Sequence, residues 1–345
     1  MRFYRTPTNH FSTPFFAPAG PHFVGTFSRV LTDATRTNRY GLRASSSFVV
    51  TFWYPAQAKA GNWPAAYADR LLAQHRPFWG AYTNRVPSFV QMASVDAPAA
   101  AAHDRFPIII YTHGLGTEQG RGVRTENTEK IQELASHGYI VLAIDHTDAY
   151  GVVLPPDQLL VGRNAFSFNF LNDRLKDIEF LLNYLEQLNA DDSVFRGRLD
   201  LDRIGIMGWS FGGGTAGEAL RLQDRLKVAV LLDGYLGSMP NLVSKGLTKP
   251  FLTMNSPSSG LASDNTTLFN KSPKDVYQLS IKDASHEAFT DNAWIVNPSA
   301  TTRRRAQAMN ACLISFLNKL LKGIDDGLLE NPSATHSDVI SFRKK

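Results

Sequence analysis

The sequence predicts an α/β architecture, a mostly parallel central sheet wrapped by helices on both faces. Three observations predict it. Short, continuously apolar runs such as Ile108-Ile109-Ile110-Tyr111 and Ile140 to Ile144 have the length and composition of strands buried on both faces. Those runs alternate with segments whose apolar residues recur every three or four positions, the spacing with which a helix buries one side. Strands separated by helices need crossover connections, which generate parallel sheets. The third observation is Ile204 to Gly214, Ile-Gly-Ile-Met-Gly-Trp-Ser-Phe-Gly-Gly-Gly, where an apolar strand runs into a turn built of glycines around one serine.

In chain order, residues 1 to 26 carry Pro7, Pro14, Pro18, Pro21, Gly20 and Gly25 and are expected to lie as an extended arm over the body. Thr26 to Leu31 and Phe48 to Tyr54 read as an antiparallel pair at one edge of the sheet, with a polar stretch around Gly41 between them and Pro55 closing the second. An alanine-rich insertion covers 56 to 105, with a short helix near Ala65 to His75. The alternation then becomes regular: strand Ile108 to Tyr111, loop Thr112 to Gly116, helix Thr128 to Ser136, and strand Ile140 to Ile144 ending at Asp145 and His146. A variable stretch leads into a helix from about Asn172 to Leu188 with Leu175, Ile178, Leu182 and Leu185 along one side. After the serine turn come a helix to about Arg221, strand Val228 to Leu232 ending at Asp233, strands at 250–254 and 276–281, and a last amphipathic helix, Arg304 to Leu321. The tail, 323 to 345, reads as loosely attached. No repeat or linker interrupts the series, so residues 1–345 read as a single domain.

Composition excludes several classes of function. Thirty-six Lys and Arg against 31 Asp and Glu leave a net charge of +5, and apart from Arg303-Arg304-Arg305 the basic residues are scattered, so no nucleic-acid partner is expected. One cysteine, Cys312, allows no internal disulfide and no cysteine-based metal cluster. The longest apolar run, Tyr139 to Ile144, is far short of a transmembrane segment, and the N-terminus lacks the apolar core of a signal peptide. A cytoplasmic location is expected, with a processed secreted form as the alternative. Neither a cofactor nor a metal is called for.

The chemistry is concentrated at Gly208-Trp209-Ser210-Phe211-Gly212. A Gly-x-Ser-x-Gly turn between strand and helix is the nucleophile elbow of the α/β-hydrolase fold, with the serine hydroxyl projecting above the sheet. A serine hydroxyl is a poor nucleophile unless a base accepts its proton, and the base needs a carboxylate to hold its tautomer. In this fold the chain order is serine, acid, histidine. Of the nine histidines only His286 and His336 follow Ser210, and His286 lies in the loop after the last strand, whereas His336 is in the polar tail. Asp233, at the rigid end of the strand after the elbow helix, is the better acid; Asp264 is the alternative, because the loop Asn255 to Ser259 holds no carboxylate. The oxyanion formed on attack requires two N–H donors, assigned to Phe211, directly after the nucleophile, and to Leu115 in the turn His113-Gly114-Leu115-Gly116. His113, Asp145, His146 and Asp283 read as residues that hold loops. Trp209, Phe289 and Trp294, with Phe166, Phe168 and Phe170, are candidates for an apolar acyl pocket and its rim.

Tyr111 to Gly116, Leu134 to Val141 and Gly208 to Gly213 together resemble the platelet-activating factor acetylhydrolase family, serine esterases related to lipoprotein-associated phospholipase A2. The resemblance runs from about Gly25 to Gly323. It includes the spacings of 23 residues from Ser210 to Asp233 and 53 from Asp233 to His286. It implies calcium-independent hydrolysis of short or oxidised sn-2 acyl groups from phospholipids, with Leu115 and Phe211 as oxyanion donors. A lipid ester substrate in turn implies peripheral contact with lipid aggregates. The chain departs from the family where Trp209 replaces the commoner histidine, and Met1-Arg2 does not match the myristoylation signal of intracellular animal members. General carboxylesterases and polyester hydrolases use the same machinery, and a catalytically silent binding protein is the alternative from another class.

Overall fold

A computed structural model describes residues 15–36, 46–57, 64–69, 73, 89–101, 105–116, 122–146, 151–154, 158–161 and 170–345. Its strands are β1 (Phe23–Asp33), β2 (Ser46–Ala56), β3 (Pro64–Ala66), β4 (Val90–Val95), β5 (Phe106–Thr112), β6 (Ile140–Asp145), β7 (Gly151–Leu154), β8 (Gln158–Val161), β9 (Leu199–Trp209), β10 (Leu226–Leu232), β11 (Phe251–Asn255), β12 (Val276–Ile281) and β13 (Val339–Lys344). The α-helices among the described residues are α1 (Thr128–Ser136), α2 (Phe170–Asp191), α3 (Phe211–Leu222), α4 (Pro240–Lys245), α5 (Ala262–Lys271), α6 (Asn292–Val296), α7 (Ala300–Leu317) and α8 (Pro332–Thr335). Eleven strands form one sheet in the order β13-β12-β11-β10-β9-β5-β6-β2-β1-β4-β3, and β7 pairs with β8 in a separate hairpin.

Strands β6, β5, β9, β10, β11 and β12 are mutually parallel, the arrangement expected of an α/β-hydrolase sheet. Their unbroken apolar runs follow from burial on both faces. Ile108, Ile110, Ile204 and Ile206 join one core cluster with Ile178, Leu181 and Leu185 of α2 and Ala216 and Ala219 of α3. Ile109, Tyr111 and Met207 point the other way, into a second cluster with Ile131 and Leu134 of α1 and Met309 and Leu313 of α7. Pleating therefore divides each strand between two cores, and helices cover both.

Three expectations are corrected. β1 and β2 are antiparallel, but they lie inside the sheet: β2 pairs with β6 and β1 with β4, and the edges are β3 and β13. The insertion carries a strand, Pro64–Ala66, whose Pro64 and Ala66 pair with β4, so the helix expected near Ala65 to His75 does not start at Ala65; Ala73 is helical, its N–H donating to Asp69 O at 2.7 Å, and the rest of 70–75 lies outside the described residues. Gly41 and most of 70–88 fall outside the described residues. Finally, the tail is attached firmly. β13 is antiparallel to β12 from Tyr277↔Lys344 to Ile281↔Val339, Val339 is buried, and Asp338 accepts a bond from Arg304 Nε at 2.6 Å.

The N-terminal arm reaches only to His22 before β1 begins. It is tied to α1 by Gly20 N–H donating to Ser136 Oγ at 3.1 Å and His22 N–H to Ser136 O at 3.1 Å. Burial of Val339 against β12 makes a clear prediction. Val339→Ala is expected to lower unfolding stability by about 2 kcal/mol, whereas Ile340→Ala, at a side chain 53% exposed, changes it by less than about 0.5 kcal/mol. Denaturant titration of both variants measures this, and two equal, negligible changes would restore a loose tail.

Candidate active site

Ser210 sits between the last residue of β9 and the first of α3 with φ 55° and ψ −122°. A non-glycine residue adopts such a backbone only when its surroundings impose it. Here the Ser210 N–H donates to Leu232 O at 3.0 Å, and Ser210 O accepts from Gly214 N at 3.1 Å and Tyr235 N at 2.8 Å. The turn is also crowded: a Cβ on Gly208 would lie 2.2 Å from Gly212 O, and one on Gly212 would lie 2.1 Å from Thr112 O. Glycine at both positions is what lets the elbow and the loop after β5 touch.

The structure brings Ser210, His286 and Asp233 into one hydrogen-bonded chain. His286 Nε2 is 2.9 Å from Ser210 Oγ, and His286 Nδ1 is 2.6 Å from Asp233 Oδ2. An ionised carboxylate only accepts, so the imidazole proton sits on Nδ1 and Nε2 is left to accept from the serine hydroxyl. Asp233 is fully buried while Ser210 and His286 are half-buried. The other oxygen of Asp233, Oδ1, accepts from Ser256 N–H at 2.9 Å and from Ser259 Oγ at 3.1 Å. Thus the loop after β11, which supplies no acid, instead supplies donors that fix the acid. Asp264 lies in the first turn of α5, and no bond joins it to His286 among the described residues. The histidine loop is fastened further by Ser256 Oγ and Ser258 Oγ donating to Ala284 O at 2.7 and 3.2 Å and by Trp209 Nε1 donating to His286 O at 3.0 Å.

Leu115 lies in the loop after β5 and Phe211 at the first position of α3. Neither N–H has an acceptor among the described residues, and a helix leaves its first amides unpaired. His113 holds the turn: its Nε2 accepts from His146 N–H at 3.1 Å, so Nδ1 carries the proton and donates to Gly114 O at 2.6 Å. Burial and the Arg174 guanidinium keep this ring well below the usual histidine range, hence neutral. His146 lies between Thr112 Oγ1 and Asp177, and Asp145 pairs with Arg124, so both hold loops. Sequence reasoning missed Arg174 and Glu126. Arg174, buried on α2, donates to His113 O and Gly114 O. Glu126, equally buried, accepts from Gly114 N and Tyr111 OH at 2.7 Å and from Gly122 N at 2.9 Å. Nothing in the spacing of either residue marks it.

The apolar candidates are corrected. Phe289 is 0% exposed and Trp294 is 2% exposed, edge-on to Phe16 with ring centroids 4.5 Å apart, so both belong to the core. Trp209 is also buried, its ring 4.7 Å from that of His286, where it braces the imidazole. Phe170 is buried at the start of α2, and Phe166 and Phe168 lie outside the described residues. Arg304 pairs with Asp338, Arg305 with Asp283, and Arg303 lies over the Phe16 ring, as expected of a solvated helix start.

Burial pushes the Glu126 carboxyl up to about 7 and Asp145 up to about 6. Between the ordinary carboxyl value and those limits the folded chain keeps protons that the unfolded chain has lost, so this contribution to stability falls as pH rises. Buried neutral His113 acts in the opposite sense. Glu126→Gln isolates one component: the variant's denaturation midpoint is expected to fall less than the wild type's between pH 4.5 and 7.5. Parallel profiles would show that Glu126 does not titrate there.

Comparisons with known proteins point to one family. The model of the family described as platelet-activating factor acetylhydrolase, isoform II, matches residues 17–153 and 180–305, well over half of the chain. The platelet-activating factor acetylhydrolase of Bos taurus is 27% identical over 240 residues, 57% of this chain and 52% of its own; that of Cavia porcellus is 24% identical over 218 residues, 54% and 49%. The chain spans about half the length of these relatives. A probable 1-alkyl-2-acetylglycerophosphocholine esterase of Arthroderma benhamiae is 24% identical over 68% of this chain and 65% of its own. Among solved structures, a ferulic acid esterase from Streptomyces cinnamoneus superposes with a TM-score of 0.80 at 26% identity, covering 95% of this chain and 98% of that one. With its α/β-hydrolase fold and these matched segments, the chain belongs to the platelet-activating factor acetylhydrolase isoform II family.

Proposed function

We propose that this protein is a serine ester hydrolase working through an acyl-enzyme. The observation that carries the reading is the continuous hydrogen-bond chain Ser210 Oγ, His286, Asp233, with distances of 2.9 and 2.6 Å. In the first half-reaction Ser210 Oγ bonds to the ester carbonyl carbon as its proton passes to His286 Nε2, and the carbonyl electron pair moves onto oxygen. The amides of Leu115 and Phe211 stabilise that oxyanion. Collapse expels the alcohol, which takes the proton from His286. Water, deprotonated by the same imidazole, then repeats the sequence on the acyl-enzyme and releases the acid. Asp233 keeps the proton on Nδ1 throughout and stabilises the imidazolium.

For the substrate we propose short or oxidised acyl groups at the sn-2 position of phospholipids, cleaved without calcium. Family membership and the 1-alkyl-2-acetylglycerophosphocholine esterase activity for which the Arthroderma benhamiae relative is named support the phospholipid substrate. Hydroxycinnamate esters are a second reading, supported by the esterase that matches nearly the full length of both chains.

A fluorophosphonate probe is expected to label the wild type and not Ser210→Ala; an unlabelled, folded wild type would remove the proposal. Asp233→Asn should lower kcat by about four orders of magnitude, the loss expected when the tautomer anchor is removed, while Asp264→Asn leaves it nearly unchanged. The reverse ranking reassigns the acid. A panel of a 2-acetyl phospholipid, short and long p-nitrophenyl esters and a methyl hydroxycinnamate, with and without EDTA, orders the substrates. Preference for the cinnamate, or loss of phospholipid cleavage in EDTA, would overturn the substrate assignment.

A further inference from the structure

We infer that Arg174 and Glu126 are positioning residues that aim the Leu115 amide, by gripping from both ends the peptide unit that precedes it. This rests on the esterase reading and deepens it. The unit is the His113–Gly114 peptide. Its carbonyl accepts from Arg174 Nη1, and its N–H donates to Glu126 Oε1 at 2.7 Å. The guanidinium and the carboxyl group meet through this one amide.

The next peptide, Gly114–Leu115, is held by its carbonyl alone. Gly114 O accepts from Arg174 Nη2 at 3.0 Å and from His113 Nδ1 at 2.6 Å. A trans peptide points its C=O and N–H in opposite directions. Turning the Gly114 carbonyl toward the guanidinium therefore turns the Leu115 N–H away from it, and the cation polarises that N–H further. The same guanidinium lies 4.9 Å from the centroid of the Phe211 ring, on the residue that carries the other donor. Glu126 adds two ties. Its Oε2 takes the Gly122 N–H at 2.9 Å, where the chain passes so close that a Cβ on Gly122 would be 2.4 Å from Gly116 N. Its backbone carbonyl accepts from Asp291 N at 2.8 Å, just beyond the His286 turn. Asp291 in turn caps α1, accepting from Thr128 N at 2.7 Å. Oxyanion loop and histidine loop are thereby fixed in one frame. Arg174 falls between the two segments that the family model matches.

A purely structural role would lower stability without touching transition-state binding, and the test separates the two. Arg174→Lys keeps the charge but loses the planar fork that spans two carbonyls. Glu126→Gln presents an amide NH2 to one of two backbone N–H donors. In the full-length chain, each is expected to lower kcat on a short p-nitrophenyl ester by about 10- to 100-fold, with KM within about twofold, because a donor is misplaced and not removed. Affinity for a trifluoromethyl ketone, whose adduct carries the oxyanion, should fall by the same factor as kcat/KM. Wild-type kcat in folded variants, a loss carried by KM, or unchanged ketone affinity would overturn the inference while leaving Ser210 labelling by fluorophosphonate intact. If neither variant folds, the pair is structural and the inference fails. A wild type inert to the probe removes the esterase reading and this inference with it.

Discussion

The left-handed backbone at Ser210 is the constraint on which the rest of the site depends. A non-glycine residue there costs about 1 to 3 kcal/mol, and it persists because bonds from β10, the following turn and α3 all converge on that one residue. The same turn throws the hydroxyl outward, aligns the first amide of α3, and brings Gly212 against the carbonyls of Thr112 and His113. The proposed nucleophile, one proposed oxyanion donor and the neighbouring loop are thus placed by a single backbone event. A methyl group on Gly208 or Gly212 would separate them.

Around that point the parallel strands end in residues of the proposed catalytic chain or in residues that bond to it. β9 leads to Ser210, β10 to Asp233 and β12 to the His286 loop, so rigid elements carry each member and short loops cover the remaining distance. β11 is the instructive exception. It ends without an acid, and Ser256 and Ser259 beyond it donate to the Asp233 carboxylate instead. Asp233 itself has φ 42°, so the acid, like the nucleophile, is held in an uncommon backbone. A buried carboxylate with an imidazole on one oxygen and two donors on the other has little freedom to move, which is what an orienting group requires.

The sequence made some of this legible and not the rest, for physical reasons. Strands buried on both faces announce themselves as unbroken apolar runs, and the elbow announces itself through glycines that only a close approach requires. Chain order then selected His286, and a place at a rigid strand end favoured Asp233 over Asp264. Edge strands carry no such signature: β13 reads Val-Ile-Ser-Phe-Arg-Lys, half exposed, and resembles a polar tail until a partner is known. Aromatic residues misled in the other direction, because Phe289 and Trp294 have the same composition whether they line a pocket or fill a core. Arg174 and Glu126 could not be read at all. Each is one charged residue in a polar stretch, and its meaning comes from a backbone amide distant in the chain.

Those two charges also explain how a loop of small residues can be rigid. His113-Gly114-Leu115-Gly116 has two glycines, which allow the turn but leave it many conformations. An isolated buried charge would be strongly unfavourable, and a fully bonded one resists every displacement, since any shift breaks a charge-assisted bond in a low-dielectric interior. Glu126 accepts three donors and Arg174 grips two successive carbonyls, so loop motion must disturb both at once. Burial opposes the Glu126 charge, which is why its carboxyl is raised in spite of those donors. That raised carboxyl costs stability, and the same bonds hold the proposed oxyanion donor in place before a substrate arrives.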